Sequence, residues 1–323
     1  MTTKSVAVVI PCLNEAKNLE ILLPRVYEVL RASRIPATVF VVDGGSTDGT
    51  QETASRLAAT VIPQRGKGYG GAIKTAFESV DAEFIITLDA DFSHHPAFIR
   101  YLYELSDEAE IVIASRYTDQ GYAAMPLFRK ILSSVLNGTF RHCLSVPTRD
   151  LSSGYRLYHR QAVMGLDLTY HTYAVLQEIL VKAYSRGYRV REIPFHYLPR
   201  RHGRSHARLL RFGWVYLKAL HSLWKLRNSI ESADYDTRAF YSKIPLQRWL
   251  QRKRYRIILD YIEDRLRVLD TACGSTHYAR QELCGQLAAL GCVVENYFYI
   301  LLGESFMEAG IVGFQEKRDM GTR

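Results

Sequence analysis

Residues 82–91 read AEFIITLDAD, in which an uninterrupted run from Phe84 to Leu88 opens onto Asp89-Ala90-Asp91. An apolar, β-branched stretch of that length is the pattern of a strand buried on both faces. The two carboxylates, separated by one small residue, leave its carboxyl end, where extended geometry sends both side chains to one face. Working outward, the same alternation repeats. VAVVI at 6–10 precedes a helical period from Leu19 to Ala32, and TVFVVD at 38–43 precedes another from Gln51 to Ala58. Downstream lie a helical period from Ala97 to Leu105 and the run EIVIAS at 110–115. This βαβαβαβ order predicts an α/β fold: a Rossmann-like, mainly parallel sheet flanked by helices, with ligands bound beyond the carboxyl ends of the strands. After Ser115 the pattern loosens, then gives a helix at Leu176 to Ser185, a strand at Tyr188 to Tyr197 and the basic loop PRRHGRSHARLLR.

The composition, 47% hydrophobic over 323 residues, is that of a chain with an ordinary core. A formal charge of +9, from 42 basic and 33 acidic residues, suits phosphate-bearing ligands, anionic lipid surfaces or nucleic acid. The basic residues accompany phosphate-site motifs rather than a nucleic-acid reading module, so no nucleic-acid partner is expected. Five cysteines without a CxxC pair suggest neither a disulfide framework nor a zinc site and fit a reducing, cytoplasmic setting. No secretion leader is read before Val6. Leu209 to Leu226 is the longest apolar region, but Arg211, Lys218 and Lys225 interrupt it, so it falls short of an uncharged span of ~18 residues. Those cations recur every seven residues and form one stripe on a helix, among Phe212, Trp214, Tyr216, Leu220 and Trp224. Two readings stand: a helix lying on a membrane surface, or one packed on its own domain or a partner.

A carboxylate pair such as Asp89 and Asp91 suits a divalent cation shared with phosphate oxygens, although an isolated D-x-D also fits solvated or capping carboxylates. Its companions at the other strand ends narrow the choice. The first strand ends in PCLNE and the second in VVDGGSTDGT, where Asp43 enters a glycine-rich turn and Thr47 or Asp48 can cap the next helix. A carboxylate at Asp43 can accept hydrogen bonds from a base or ribose; an ordinary strand-turn-helix join explains the glycines and Asp48, but not why acidic residues mark successive strand ends.

Taken in order, Ile10-Pro11-Cys12-Leu13-Asn14-Glu15, VVDGGSTDGT, RGKGYGGAI from Arg65 to Ile73, and LDADFSHHP resemble family 2 glycosyltransferases of the GT-A fold. ASRYTDQG, FRKILSS and DLSSGYRLY further resemble polyprenyl-phosphate sugar transferases, particularly dolichyl-phosphate mannose synthases; the likeness runs from about Ser5 to Lys225. The resemblance implies a nucleotide-sugar pocket formed by Pro11, Asn14, Glu15, Asp43, Lys67, Asp89, Ala90 and Asp91. It implies Mg²⁺ or Mn²⁺ on Asp89 and Asp91, and an acceptor phosphate on Arg116, Arg129 and Ser133. Arginine suits that last role because its planar fork stays charged and grips two oxygens. Arg200 and Ser205 match an R-x-x-G-x-S-K loop that closes over the donor phosphates; His206 replaces its lysine, with Arg201 and Arg204 nearby to compensate. Gly44 stands where a second aspartate is commoner. Glu178 matches an acidic position that orients sugar hydroxyls, with a solvated helix carboxylate as the alternative. The implied reaction is inverting transfer of a sugar from a nucleotide sugar to polyprenyl phosphate at the cytoplasmic membrane face. GDP-mannose is the first-choice donor and UDP-glucose the second, and a non-catalytic membrane-binding or partner-binding scaffold is the competing reading.

Polar composition near Ser229 to Asp236 sets an expected boundary, giving units 1–230 and 231–323. The second is expected to be a small α/β appendage, entered through a basic helix at Trp249 to Asp264 and available to a protein partner. Its RVLDTACGST resembles the first motif of S-adenosylmethionine-dependent methyltransferases, but Ala272 and Thr276 occupy two glycine positions. The segment reads as a truncated remnant whose GCVVENYFYILLGESFMEAGIVGF forms a terminal hairpin joined to the first strand. Asn137-Gly138-Thr139 is a glycosylation sequon by pattern only.

Overall fold

The computed structural model describes residues 4–197, 213–229, 231–240, 245–246, 248–250, 252–253, 267–269, 293–302 and 305–313. Two compact units divide the chain: Met1–Tyr184 with Tyr188–Leu226, and Ser185–Gly187 with Arg227–Arg323.

The first unit is built on the expected alternation. Strands β1 (Val6–Cys12), β2 (Ala37–Asp43), β4 (Phe84–Thr87) and β5 (Ile111–Ser115) are the four apolar runs, and α1 (Ala16–Ala32), α2 (Thr50–Arg56) and α4 (Phe98–Glu104) the periods between them. β3 (Thr60–Pro63), α3 (Gly68–Ser79), α5 (Leu127–Leu144) and β7 (Arg156–His159) add elements not read from the sequence. α6 (Arg160–Val163), α7 (Val175–Ser185), β8 (Val190–Pro194) and α8 (Gly213–Arg227) follow, and β6 (Tyr122–Ala123) pairs with β9 (His196–Tyr197) in a separate ribbon. The expected strand at Tyr188 to Tyr197 is therefore divided between two sheets.

The seven-stranded sheet has the order β3-β2-β1-β4-β7-β5-β8, all neighbours parallel except where β7 runs antiparallel between β4 and β5. Successive residues of β1 point to opposite faces: Val6, Val8 and Ile10 join one apolar cluster with Leu19, Leu22, Leu23 and Val26 of α1, while Ala7 and Val9 join the other with Ile73, Ala76 and Phe77 of α3. Helices thus cover both faces, which requires strands apolar throughout. β1 has β2 on one side and β4 on the other, so the strand order reverses at β1. A crevice opens outside the carboxyl ends at such a reversal. PCLNE and DAD are the two loops that flank it.

α8 answers the question left open for Leu209 to Leu226, of which residues 209–212 lie outside the described residues. Tyr216, Ala219 and Leu223 are buried in the core, whereas Trp214, Leu217 and Trp224 are exposed at 78%, 57% and 48%. One face of the helix packs on its own domain. The opposite face, continued by exposed Lys218, His221 and Lys225, is aromatic and cationic.

In the second unit α9 (Tyr235–Phe240) is described, together with a sheet in which β10 (Arg267–Leu269) lies parallel to β11 (Val293–Leu302) and β11 antiparallel to β12 (Ser305–Gly313). The hairpin pairs directly with the strand of RVLDTACGST; the rest of that motif, with Ala272, Gly274 and Thr276, lies outside the described residues, as does most of Trp249 to Asp264.

Candidate active site

Two loops at the carboxyl edge are stitched together by polar side chains. Asn14, whose φ of 58° asparagine tolerates better than most residues, accepts the Thr47 N–H on Oδ1 at 2.9 Å, and its own N–H donates to Ser46 Oγ at 2.8 Å. Asp48 Oδ2 accepts from Ala16 N at 3.1 Å and its Oδ1 from Thr50 N at 3.1 Å. Gly49, not Thr47 or Asp48, is the N-cap residue of α2, but Asp48 accepts the N–H of its first residue while also fixing the start of α1. Asp43 Oδ2 accepts from Gly45 N and Ser46 N, both at 3.0 Å, and from Gln51 Nε2 at 2.6 Å; its Oδ1 is buried without a partner. Burial alone would push the Asp43 carboxyl up, but the hydrogen bonds from Ser46, Gln51 and Gly45 override it and hold it below its ordinary value.

Beyond these loops lies a cleft of about 420 Å³, lined by Pro11, Cys12, Leu13 and Glu15 at and just after the end of β1, Gly44 and Gln64 just after β2 and β3, and Asp89, Ala90 and Asp91 just after β4. Gly66, Lys67, Gly68, Tyr69 and Ala72, at and around the amino end of α3, and His171, Thr172 and Tyr173 complete it. Pro11, Glu15, Lys67, Asp89, Ala90 and Asp91 are therefore brought together. Asn14 and Asp43 are not among the lining residues; they hold the loops. Gly44, in place of the commoner aspartate, also lines the cleft, and a β carbon there would lie 3.0 Å from Gln64 Oε1. A side chain at this position would therefore press on the end of Gln64. Arg200, Arg201, Arg204, Ser205 and His206 lie outside the described residues.

The DAD loop is held from behind. Phe92 turns the chain with φ 63°, which lets Ser93 N donate to Asp91 Oδ1 at 3.0 Å. The Asp89 N–H donates to His94 Nδ1 at 2.9 Å, so that nitrogen carries no proton and the buried imidazole is the Nε2–H tautomer. Burial depresses the His94 pKa against the opposing pull of Asp89 and Asp91. Its ring stacks on Tyr155 at 4.8 Å between centroids. LDADFSHHP contains this histidine, but nothing in the sequence tells a loop anchor from a surface residue.

A second, smaller pocket of about 80 Å³ adjoins the first and shares Tyr69, Asp89 and Tyr173 with it; Arg116, Ser133, Ser152 and Gln177 are among its other lining residues. Arg116 reaches it as half of a buried ion pair: Nε and Nη2 each donate to Asp150 at 2.8 Å, its backbone N–H also donates to Asp150 at 3.0 Å, and Nη2 meets Ser152 Oγ at 2.7 Å. For Asp150, burial would raise the pKa, and the charge and hydrogen bonds of Arg116 overcome it and lower it. Asn137, far from being a glycan acceptor, is 3% exposed and bridges Ser152 Oγ and Leu151 N. Arg129 stands in α5 beside this region; its side chain lies outside the description. Asp150, Ser152 and Asn137 are site residues that sequence reasoning did not single out, although DLSSGYRLY contains two of them.

Residues 7–166 match a family model described as glycosyl transferase family 2. Glycosyltransferase AglJ of Haloferax volcanii is 32% identical over 169 residues, 52% of this chain and 56% of that one. A dolichol-phosphate mannosyltransferase of Pyrococcus furiosus is 30% identical over 236 residues, 70% of this chain and 65% of that one, so the chain spans only part of the length of either relative. Among solved structures, glucosyl-3-phosphoglycerate synthase from Mycobacterium tuberculosis, in complex with Mn²⁺, UDP and glucosyl-3-phosphoglycerate, has a TM-score of 0.54 at 18% identity, covering 70% of this chain and 80% of that one. That likeness is one of fold, and it agrees with the GT-A expectation. Strand order, the ordered loops at the carboxyl edge and the family match converge: through its first unit the chain belongs to glycosyltransferase family 2.

Proposed function

We propose that this protein transfers a sugar, with inversion, from a nucleotide sugar to polyprenyl phosphate at the cytoplasmic face of a membrane. GDP-mannose is the first-choice donor and UDP-glucose the second. The observation that carries the reading is the adjoining of two pockets through Tyr69, Asp89 and Tyr173. The larger has room for a nucleoside diphosphate, with Lys67 and the amino end of α3 facing its phosphates. The smaller is lined by Arg116 and Ser133. The kinship to a named dolichol-phosphate mannosyltransferase supports a lipid-phosphate acceptor.

The residues fit a divalent cation. Asp89 and Asp91 line the cleft, and Ser93 Oγ is buried with no hydrogen-bond partner. Among the described residues no group of three or more His, Cys, Asp or Glu is placed to hold an ion unaided. A hard cation completed by phosphate oxygens and water suits such a donor set. When bound, Mg²⁺ or Mn²⁺ would neutralise charge on the departing diphosphate. Lys67 acts on the same charge from the glycine-rich side. Asp43 Oδ1, next to the cleft-lining Gly44, is an acceptor for a base or ribose donor. An acceptor phosphate is already anionic near neutral pH, its second ionisation lying near pH ~6, so the chain need only place an oxygen in line with the anomeric carbon. Arg116, with Nε and Nη2 committed to Asp150, offers Nη1; Ser133 and Arg129 supply the rest.

Two surfaces support a membrane location. The first turns of α5 expose Leu127, Phe128, Ile131 and Val135 at 72%, 66%, 54% and 59%, on the helix that carries Ser133. The outer face of α8 presents Trp214, Leu217 and Trp224 with lysines, a composition suited to a lipid interface. No helix among the described residues is long and apolar enough to cross a membrane.

The test is transfer of labelled sugar from GDP-mannose or UDP-glucose, with Mg²⁺ or Mn²⁺, into an organic phase containing polyprenyl phosphate. Label in that phase is the expected result. Wild-type protein that transfers none, yet binds vesicles, would reject the enzyme in favour of a scaffold.

A further inference from the structure

Glu178 is 1% exposed, in the first turn of α7. Its carboxylate is neither solvated nor directed at a ligand. Oε1 and Oε2 accept the Thr169 N–H at 2.9 and 3.0 Å, Oε2 accepts the Tyr170 N–H at 3.0 Å, and Lys182 Nζ bonds Oε1 at 2.8 Å. Lys182 also donates to the Asp167 carbonyl at the start of the same segment. The charge is thus compensated by one cation and two backbone donors, which makes its burial tolerable.

The segment it holds presses on the glycine face of α3. Gly70 N donates to His171 O at 2.9 Å. A β carbon on Gly68 would lie 2.4 Å from His171 O, and one on Gly70 would lie 2.0 Å from Tyr170 O. Backbone meets backbone with no side chain to give way, so the position of residues 169–171 is transmitted to the helix without slack. The neighbours of these contacts adjoin in the lining of the donor cleft: Lys67, Gly68 and Tyr69 from one segment, His171, Thr172 and Tyr173 from the other. The Tyr69 and Tyr173 rings stack at 4.4 Å and 19°, closing the joint.

We propose that Glu178 is a positioning residue for the donor cleft. By fixing residues 169–173 it seats the amino end of α3 and sets the position of the cleft lining that the two segments share. This deepens the role of an acidic position in α7: the carboxylate acts through the backbone of a loop and not on sugar hydroxyls. The inference rests on the reading of the larger cleft as the nucleotide site.

A double-mutant cycle tests it, with calorimetric titration of the full chain by GDP and by UDP in the presence of Mn²⁺. Glu178→Gln turns one accepting oxygen into an amide that faces N–H donors. Gly70→Ala perturbs the same joint from the other side. Each is expected to weaken nucleoside diphosphate binding about tenfold, the scale of one charge-assisted hydrogen bond. The double variant should be no weaker than the worse single, because both release one contact. Should Glu178→Gln not fold, Glu178→Asp, which keeps the charge and withdraws the carboxylate, enters the cycle in its place. Wild-type protein binding neither nucleotide would overturn the cleft reading and this inference with it. Wild-type binding with unaffected variants, or losses that multiply in the double variant, would overturn the inference alone.

Discussion

Replacing Asp150 by asparagine should damage the fold and the acceptor pocket together. The Asp150 side chain is 0% exposed and that of Arg116 11%. Its carboxylate accepts three hydrogen bonds from Arg116, and two from Ser152 at 3.2 and 3.1 Å. Asparagine keeps the shape but puts an NH₂ where an oxygen met a guanidinium donor, leaving a charge buried without its counterion. Breaking a buried pair from one side costs about 3–5 kcal/mol. Urea titration followed by the fluorescence of Trp214 and Trp224, both on α8 of this unit, would measure it.

The pH dependence carries the sign. Although burial opposes it, Arg116 holds the Asp150 pKa below its ordinary value, so the folded state binds the proton less readily than the unfolded one. The pair's contribution is therefore complete above the unfolded carboxylate pKa of about 3.9 and is lost as pH falls through the lower folded value. The stability gap between wild type and Asp150→Asn should be flat from about pH 5 to pH 8 and close below about pH 4. A gap under about 1 kcal/mol at pH 7, or one that widens with acid, would refute the assignment of this pair as a buried, ionised support.

Asp91→Ala should reduce sugar transfer by about 10²-fold or more without altering far-UV circular dichroism, the loss expected when charge stabilisation at a leaving group is removed. His94→Phe removes the acceptor of the Asp89 N–H and should weaken Mn²⁺-dependent nucleoside diphosphate binding in calorimetry. His94→Asn, whose Oδ1 can stand where Nδ1 does, should retain most of it. Trp214→Ala combined with Trp224→Ala should lower affinity for anionic vesicles roughly tenfold in a sedimentation assay while leaving nucleoside diphosphate binding unchanged, since both rings lie on the exposed face of α8.

Much of the first unit is legible because its central strands are buried on both faces and read as unbroken apolar runs. What escaped has physical reasons. α3 opens with Gly-Tyr-Gly-Gly, residues of poor helix propensity, and forms because Ala72, Ile73, Ala76 and Phe77 pack on the sheet. α5 has apolar residues on two faces: Phe140 and Leu144 in the core, Leu127, Phe128, Ile131 and Val135 outside, so its period is blurred. β3 is a four-residue edge strand, too short to register against its surroundings. At the site, the carboxylates at the strand ends could be seen in the sequence, and the basic positions followed from the resemblance to family 2 glycosyltransferases. Which of them meets a ligand and which holds a loop could not, because both uses call for the same residue types at strand ends.

That division follows a physical logic. Asp43 is committed to the N–H groups of Gly45 and Ser46, Asp48 to those of Ala16 and Thr50, and Glu178 to those of Thr169 and Tyr170. Asp150 is committed to Arg116 and Ser152. Each carboxylate satisfies loop N–H groups outside the regular ladders, where an unpaired buried donor is costly. Each thereby fixes a segment bordering a cleft before any ligand arrives, so little reorganisation is left for the binding step. Removing such a holder should lower stability and binding together. Removing a residue that only lines the cleft should lower binding and leave stability level or raised, because charges gathered for a ligand repel one another without it. Stability measured beside affinity, variant by variant, would therefore sort the acidic residues of these motifs into the two groups, and Asp43 and Glu178 should sort with Asp150.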